Sequence, residues 1–81
     1  MTVLLFGVTR DIVGAGSLEI SSSESQNLHT VKDLKEHLKT GYPQLRELSS
    51  LAIAVNQTYA RDAEPIRQTD EIALIPPVSG G

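Results

Sequence analysis

The sequence predicts an α+β domain in which a mixed β-sheet packs on one main helix. Several short apolar segments typical of strands surround a single segment with helical periodicity, in the order β-β-α-β-β-β. The 81 residues include no cysteine, so neither disulfides nor a thiolate metal site stabilise the domain. Because 40% of the residues are hydrophobic, apolar packing must form the core. We predict one folded body over residues 1–75 and a flexible tail over residues 76–81.

The first third of the chain predicts a β-hairpin followed by a loop. Residues 2–8 form a nearly continuous apolar run, which is typical of a strand buried on both faces. Residues 10–16 contain two glycines that tolerate positive φ, so we expect them to turn the chain. Apolar and polar residues alternate over 17–21, which indicates a half-buried second strand. Residues 22–27 are polar and serine-rich, which favours a solvated loop.

The main helix is predicted over residues 31–40. Thr30 precedes it and Asp33 lies three residues later, which is the pattern of a capping box. Gly41 suits the position directly after a helix, where a left-handed conformation is common. One apolar stripe should pack on the sheet, formed by Val31, Leu34 and Leu38.

The C-terminal half predicts three strands. Residues 51–56 and 71–75 carry apolar side chains on both faces, and residues 58–60 form a shorter strand. Asn56 and Gln57 suit a tight turn between the first two of these strands. We expect the strand after the helix to lie beside the first hairpin. A four- or five-stranded sheet half-wrapped round one helix is the ubiquitin-like β-grasp arrangement.

Strand alternation also predicts an apolar surface on the side of the sheet away from the helix. If Ile53 and Leu74 face the helix, their sequence neighbours must face outward. Those neighbours are mostly small, which favours a flat partner-binding surface over alanines merely tolerated on an exposed strand. The outward residues are Ala52, Ala54, Ala73 and Ile75, and Phe6 or Tyr59 extends the same surface.

Several function classes are disfavoured. The net charge of −3 arises from 10 acidic and 7 basic residues without a basic block, which argues against nucleic-acid binding. No apolar run approaches the roughly 20 residues of a membrane span, and the start lacks the basic region of a signal peptide. His29 and His37 have no partner spacing of a catalytic triad or metal site. We therefore expect a cytoplasmic protein that binds no metal and is not an enzyme on its own.

The C-terminal tail is the remaining candidate for chemistry. Pro76 and Pro77 favour an extended exit from the last strand, and Gly80-Gly81 is slim enough for a narrow site in another protein. A terminal carboxylate is an anion at pH 7, so it must be activated, most simply as an acyl-adenylate. Sulfur would then give a thiocarboxylate, and a lysine amine would give an isopeptide bond. A frayed terminus without function is the plain alternative.

The sequence resembles the MoaD family, the small subunits of molybdopterin synthase. The resemblance is carried by residues 51–58 (Leu-Ala-Ile-Ala-Val-Asn-Gln-Thr) and by residues 70–81, which end in Pro-Pro-Val-Ser-Gly-Gly. It extends over nearly the whole chain. The related thiamine-pathway carrier and ubiquitin share the fold and Gly-Gly but do not end in Pro-Pro-Val. Where the family often has Asp-Gly before the last strand, this chain has Gln68-Thr69-Asp70, so a different turn is expected there.

The resemblance implies a sulfur-donor cycle. An E1-like enzyme would adenylate Gly81 with ATP, and a sulfurtransferase system would convert it to a thiocarboxylate, with no cofactor bound to the chain itself. The tail would insert into the large subunit of a heterotetramer and give sulfur to cyclic pyranopterin monophosphate. Its inserted residues would be Pro76, Pro77, Val78, Ser79 and Gly80, and the docking residues would be Phe6, Tyr59, Ala73 and Ile75. A lysine-conjugated protein modifier and a plain interaction module are the competing functions.

Overall fold

Five strands, three α-helices and one 3₁₀ helix form the structure, a computed structural model that describes residues 1–77. The strands are β1 (Thr2–Leu5), β2 (Ser17–Glu19), β3 (Ala52–Val55), β4 (Thr58–Ala60) and β5 (Ile72–Ile75). The helices are α1 (Val8–Val13), α2 (Ser22–Ser25) and α3 (Val31–Gly41), and the 3₁₀ helix covers Pro43–Glu47. Within the described residues, no helix has the length and apolar character needed to cross a bilayer.

The strands form one mixed sheet in the order β2-β1-β5-β3-β4. The β1–β5 pair is parallel and the other three pairs are antiparallel. The predicted mixed sheet with one main helix is therefore confirmed. The predicted place of β3 beside the first hairpin is wrong, because β5 lies there. Strands β3 and β5 are both apolar on both faces, so apolar character alone does not choose between them; the parallel pairing of β5 with β1 decides the order.

The connection between β1 and β2 contains a helix where the sequence predicted only a turn. Strand β1 ends at Leu5, and Gly7 then takes up a φ of 55° and ψ of −134° before α1 begins. Gly14 ends α1 in a left-handed conformation with φ 86°, and its N–H donates to the carbonyl of Arg10 at 2.7 Å. Positive φ at both glycines allows the chain to enter and leave this short helix without steric strain.

A second short helix replaces part of the predicted serine-rich loop. In α2, the hydroxyl of Ser21 accepts a hydrogen bond from the backbone N–H of Glu24 at 3.3 Å. Serine competes well for this position because its oxygen satisfies an N–H that the helix leaves unpaired. The buried hydroxyl of Ser25 accepts a hydrogen bond from the Gln68 amide at 2.6 Å, which ties α2 to the segment before β5.

Helix α3 begins with the predicted capping box. The Thr30 hydroxyl accepts from the N–H of Asp33 at 3.2 Å, and the Asp33 carboxylate accepts from the N–H of Thr30 at 3.2 Å. The helix ends one residue later than predicted, because Gly41 is its last helical residue and Tyr42 caps it. Gly41 was expected to follow the helix with positive φ, and that expectation is wrong.

The core lies between α3 and one face of the sheet. We call this face the inner face; it consists of Val3, Leu5, Ile53, Ile72 and Leu74. Each of these side chains is at most 2% exposed. They pack in one cluster with the predicted stripe of α3, namely Val31, Leu34 and Leu38, and with Leu45 of the 3₁₀ helix.

Two turns on one side of the sheet are joined by side-chain hydrogen bonds. Asn56 and Gln57 have φ values of 51° and 69°, as the predicted tight hairpin turn requires. The Asn56 amide donates to the Asp70 carboxylate at 3.0 Å, and its oxygen accepts from the N–H of Glu71 at 2.9 Å. Thr69 has no positive φ, so the turn before β5 differs from an Asp-Gly turn and is unstrained, as expected.

Candidate functional site

The outward side chains of the sheet line up across four strands. Leu4 pairs with Ala73, Ala73 pairs with Ala54, and Ala54 pairs with Tyr59. A second row begins where Ile75 pairs with Ala52. Paired residues share a face of the sheet, so both rows lie opposite the inner face. We call this surface the outer face; it consists of Leu4, Ala52, Ala54, Tyr59, Ala73 and Ile75.

The outer face is apolar and accessible to a partner. Tyr59 is 71% exposed, and the aliphatic members of the face are partly exposed. Phe6 follows β1 directly and is 47% exposed. Because Leu5 pairs with Leu74, Phe6 lies at the level of Ile75. Of the predicted docking residues, Tyr59, Ala73 and Ile75 thus share the outer face, and Phe6 lies at the end of β1 beside it, while their role in docking stays a prediction.

Thr9 fixes the backbone of Phe6. Its hydroxyl accepts from the N–H of Phe6 at 3.0 Å and donates to the carbonyl of the same residue. Its own N–H donates to that carbonyl at 3.1 Å. The Thr9 side chain is fully buried, and its two hydrogen bonds to Phe6 are partly buried. Thr9 was not predicted from the sequence; a threonine four residues after the end of an apolar strand was the available signal.

Gly7 brings β1 against the root of the tail. A Cβ built on Gly7 would lie 3.1 Å from Cγ of Pro76, which is closer than ordinary carbon contacts. Pro76 directly follows β5, and β5 runs parallel to β1, so both residues leave the sheet at the same end. The sequence analysis included Gly7 in a strand and gave it no role. Its lack of a side chain is what allows this close approach.

The predicted reactive end lies mostly beyond the described part of the structure. Pro76 and Pro77 are partly buried. Val78, Ser79, Gly80 and Gly81 lie outside the described residues, so their predicted roles are untested. The geometry nevertheless shows that the chain enters the tail directly from β5, beside Phe6 and the outer face.

Other ionisable groups form local pairs and no reactive cluster. Nε2 of His37 lies 3.8 Å from the Glu24 carboxylate, and this histidine is half-buried. A hydrogen bond from Lys35 at 2.8 Å lowers the pKa of Asp62. Among residues 1–77, no group of three or more potential metal ligands comes together. None of these groups has the arrangement of a general acid–base or nucleophilic site.

The Asp33 carboxylate accepts two backbone hydrogen bonds at the start of α3. It accepts from the backbone N–H of His29 at 3.0 Å as well as from that of Thr30. These hydrogen bonds, first the one from His29, lower the pKa of Asp33. The charge stabilises the start of the helix that covers the inner face, so this group has a structural role.

The sheet order and the exit of β5 into a Pro-Pro segment define the class of this protein, a ubiquitin-like β-grasp protein. It superimposes on the crystal structure of small archaeal modifier protein 1 from Haloferax volcanii with a TM-score of 0.75 at 26% identity, covering 99% of this chain and 97% of that one. It also resembles a chain in the complex of subunits 1 and 2 of molybdopterin-converting factor from Helicobacter pylori. That TM-score is 0.62 at 26% identity, covering 99% and 96% of the two chains.

Family membership follows from the sequence over its whole length. The model of the ThiS family matches residues 3–81, and the chain belongs to this family. Relatives include the molybdopterin synthase sulfur carrier subunit of Dictyostelium discoideum, 38% identical over 98% of this chain and 93% of the relative. The Escherichia coli protein of the same name is 33% identical over 98% and 96%. The resemblance to the MoaD family is thereby confirmed.

Proposed function

We propose that this chain is the sulfur carrier subunit of a molybdopterin synthase and carries sulfur on the carboxyl group of Gly81. The main observation that supports this proposal is that the family model matches the chain up to residue 81. The Gly-Gly end therefore belongs to the sequence that the family shares. Relatives that are similar over at least 98% of this chain have this function in their names. The exit of β5 beside an apolar surface supports the same proposal.

The chemistry begins at the terminal carboxylate. At pH 7 this group is an anion and a poor acyl donor, since its ordinary pKa is about 3.5. In the proposed cycle, a carboxylate oxygen attacks the α-phosphate of ATP on an E1-like enzyme, and pyrophosphate leaves. A sulfur nucleophile then attacks the carbonyl carbon of Gly81, and AMP leaves. Because the chain has no cysteine, its own side chains provide no competing thiol.

The partner of the loaded carrier is the large subunit of the synthase. The outer face and Phe6 would dock on it, with Tyr59, Ala73 and Ile75 in the contact, while residues 76–81 enter its active site. The sulfur would pass there to cyclic pyranopterin monophosphate, in an assembly of two small and two large subunits. Support comes from the similar Helicobacter pylori chain, which was solved as a complex of subunits 1 and 2 of molybdopterin-converting factor.

A lysine-conjugated protein modifier is the second candidate. The observation that favours it is the similarity to small archaeal modifier protein 1, which covers 99% of this chain. Both functions begin with an activated Gly81 and differ in the nucleophile that attacks it. An amine would give a stable isopeptide bond, whereas sulfur gives a thiocarboxylate that is transferred again.

Activation of Gly81 takes place on the activating enzyme and consumes ATP. The carrier itself binds no cofactor. A cytoplasmic location fits this requirement because ATP is available there. The absence of nucleic-acid and membrane partners stays a prediction from charge and hydropathy.

Mass spectrometry of the intact protein tests the proposed function. After incubation with the activating enzyme, ATP and a sulfur donor, one oxygen at Gly81 should be replaced by sulfur. A variant without Gly81 should gain no sulfur and give no product with the large subunit. Its thermal stability should match the wild type, since residue 81 lies beyond β5.

Ser79→Ala is the matched control, because it changes the tail but keeps its length and its terminal glycine. This variant should still gain sulfur. Full activity of the variant without Gly81 would overturn the mechanism. Lysine-linked adducts without any thiocarboxylate would favour the protein modifier instead.

A further inference from the structure

We propose that Gly7 is a positioning residue for the reactive terminus: its bare backbone forms the seat on which Pro76 rests. This inference rests on the proposed function and adds a residue outside the tail to its machinery. Gly7 lies in the connection between β1 and β2, directly before α1, and no chemistry of its own is required of it. Its contribution is to determine where the chain leaves β5.

The parallel pairing of β1 and β5 brings the two residues together. Leu5 pairs with Leu74, so Gly7 and Pro76 each lie two residues beyond that pair, at the same end of the sheet. A Cβ at position 7 would stand 3.1 Å from Cγ of Pro76, and no other heavy atom of residues 1–77 outside its chain neighbours lies within 4 Å. Within the described part of the tail, the contact is therefore specific to its first residue.

A side chain at position 7 would displace the backbone of the tail. The Cγ atom of Pro76 belongs to a ring that is closed on its own backbone nitrogen, so it cannot rotate away as a flexible side chain does and yields only through ring pucker. The contact requires a shift of a few tenths of an ångström, which the pucker shares with the Pro76 backbone and the chain that follows it.

The segment on the other side of the contact is held in place. The carbonyl of Gly7 accepts from the N–H of Arg10 at 3.1 Å, and Thr9 fixes Phe6 on both its N–H and its carbonyl. Because Thr9 is fully buried, this turn has little freedom to withdraw. Displacement should consequently fall on Pro76 rather than on β1.

Such a displacement should affect catalysis more than docking. The outer face remains as it is, so a carrier with a shifted tail still binds its partners through the sheet. The carboxyl of Gly81, however, must reach the reacting atoms of the activating enzyme and the large subunit. Misplacement by about 1 Å costs on the order of 100-fold in rate when a reacting group is held rigidly. The shift required here is a few tenths of an ångström. A tail with several rotatable bonds absorbs part of it, so we expect roughly a threefold loss in kcat.

The test compares Gly7→Ala with Gly14→Ala, which also adds a methyl group at a glycine with positive φ. Gly14 has a φ of 86° and no atom within 4 Å of a built Cβ, so it reports strain without the contact. Both carriers are assayed as substrates of the activating enzyme and as thiocarboxylates with the large subunit. Gly7→Ala should lower kcat roughly threefold with little change in KM, and Gly14→Ala should keep the wild-type kcat.

A double variant separates the contact from backbone strain. Adding Pro76→Ala removes the ring, so Gly7→Ala should lose little further kcat in the Pro76→Ala background. Equal kcat values for Gly7→Ala and Gly14→Ala would overturn the inference. An undiminished loss from Gly7→Ala in the Pro76→Ala background would overturn it as well.

Circular dichroism establishes that each variant is folded before kinetics are compared. If Gly7→Ala does not fold, Pro76→Gly is compared with Pro77→Gly, because only Pro76 contacts the Gly7 seat. The larger loss in kcat should then occur at position 76, and equal losses would overturn the inference. A wild-type carrier that gains no sulfur would overturn the proposed function itself, whereas an active wild type with an unaffected Gly7→Ala overturns the seat alone.

Discussion

The two faces of the same sheet carry different kinds of side chain and are buried to different extents. On the inner face, Ile72 and Leu74 of β5 are completely buried against the core that α3 completes. On the outer face, Ala73 and Ile75 of the same strand stay partly exposed. Adjacent residues of one strand thus have opposite environments because side chains alternate across a sheet.

This difference indicates that the inner face determines the stability of the fold and that the outer face is the one we expect to bind a partner. Large branched side chains on the inner face remove apolar area from water, at about 25 cal/mol per Å². Alanines on the outer face contribute little to that sum, but they keep the surface flat and allow another protein to approach closely. Substitutions on the inner face should therefore change folding, and substitutions on the outer face should change binding.

Truncation of neighbouring residues on β5 is the strongest test of this comparison. Leu74→Ala removes a fully buried side chain and leaves a cavity, so it should lower the free energy of unfolding by about 2–5 kcal/mol. Ile75→Ala removes a partly exposed side chain and should cost about 1 kcal/mol or less. Urea denaturation at an unchanged m-value measures both. Equal losses for the two variants would show that the faces do not differ as described.

A charge on the outer face tests the functional half of the comparison. Ile75→Asp should raise the Kd for the large subunit at least tenfold, because docking would desolvate a carboxylate that has no partner. Titration calorimetry with the purified large subunit measures the change. The free energy of unfolding should change little in comparison, since position 75 points away from the core.

Gln44→Asp supplies the matched control for that experiment. It adds the same charge at an exposed position of the 3₁₀ helix, which packs on the helix side of the sheet. Its affinity for the large subunit should remain at the wild-type value. An unaltered affinity of Ile75→Asp would place the docking surface elsewhere on the molecule.

The two faces were predictable from sequence because alternation is a local property. The outward positions of Ala52, Ala54, Ala73 and Ile75 follow once the strands are recognised. The capping box at Thr30 and the turn at Asn56 were predictable for the same reason, since each depends on residues close in sequence. The likeness to a family of carriers came from the Pro-Pro-Val-Ser-Gly-Gly end, which no periodicity would have identified.

The missed features depend on contacts between distant parts of the chain. The central place of β5 results from its pairing with β1, some 70 residues earlier in the chain, and local patterns carry no such information. The seat at Gly7 exists only because that pairing brings Pro76 to it. Helix α1 lacks an obvious helical pattern, and its start depends on the buried Thr9 and on the positive φ of Gly7.

The capping box of α3 allows a test with a smaller expected effect. A substitution there weakens the start of the helix that packs on the inner face and leaves the side chains of the sheet unchanged. Hydrogen bonds from the backbone N–H groups of His29 and Thr30 lower the pKa of Asp33 in the folded protein. The ionised carboxylate therefore stabilises the fold above about pH 4, and this contribution is lost as the pH falls through the lowered pKa. Asp33→Asn removes the charge, so the variant should be less stable than wild type at pH 7.

The stability difference should shrink as both proteins are acidified, because wild-type Asp33 then becomes neutral too. Urea denaturation of both proteins between pH 7 and pH 3 measures it. Asp62→Asn is the matched control. It also neutralises a carboxylate whose pKa is lowered, but this carboxylate accepts its hydrogen bond from Lys35 on the side of α3 and is not part of the capping box. The affinity of Asp33→Asn for the large subunit at pH 7 should equal that of wild type. A loss of affinity would mean that a change on the helix side of the sheet alters binding at the outer face. The separation between an inner face that determines folding and an outer face that determines binding would then be wrong.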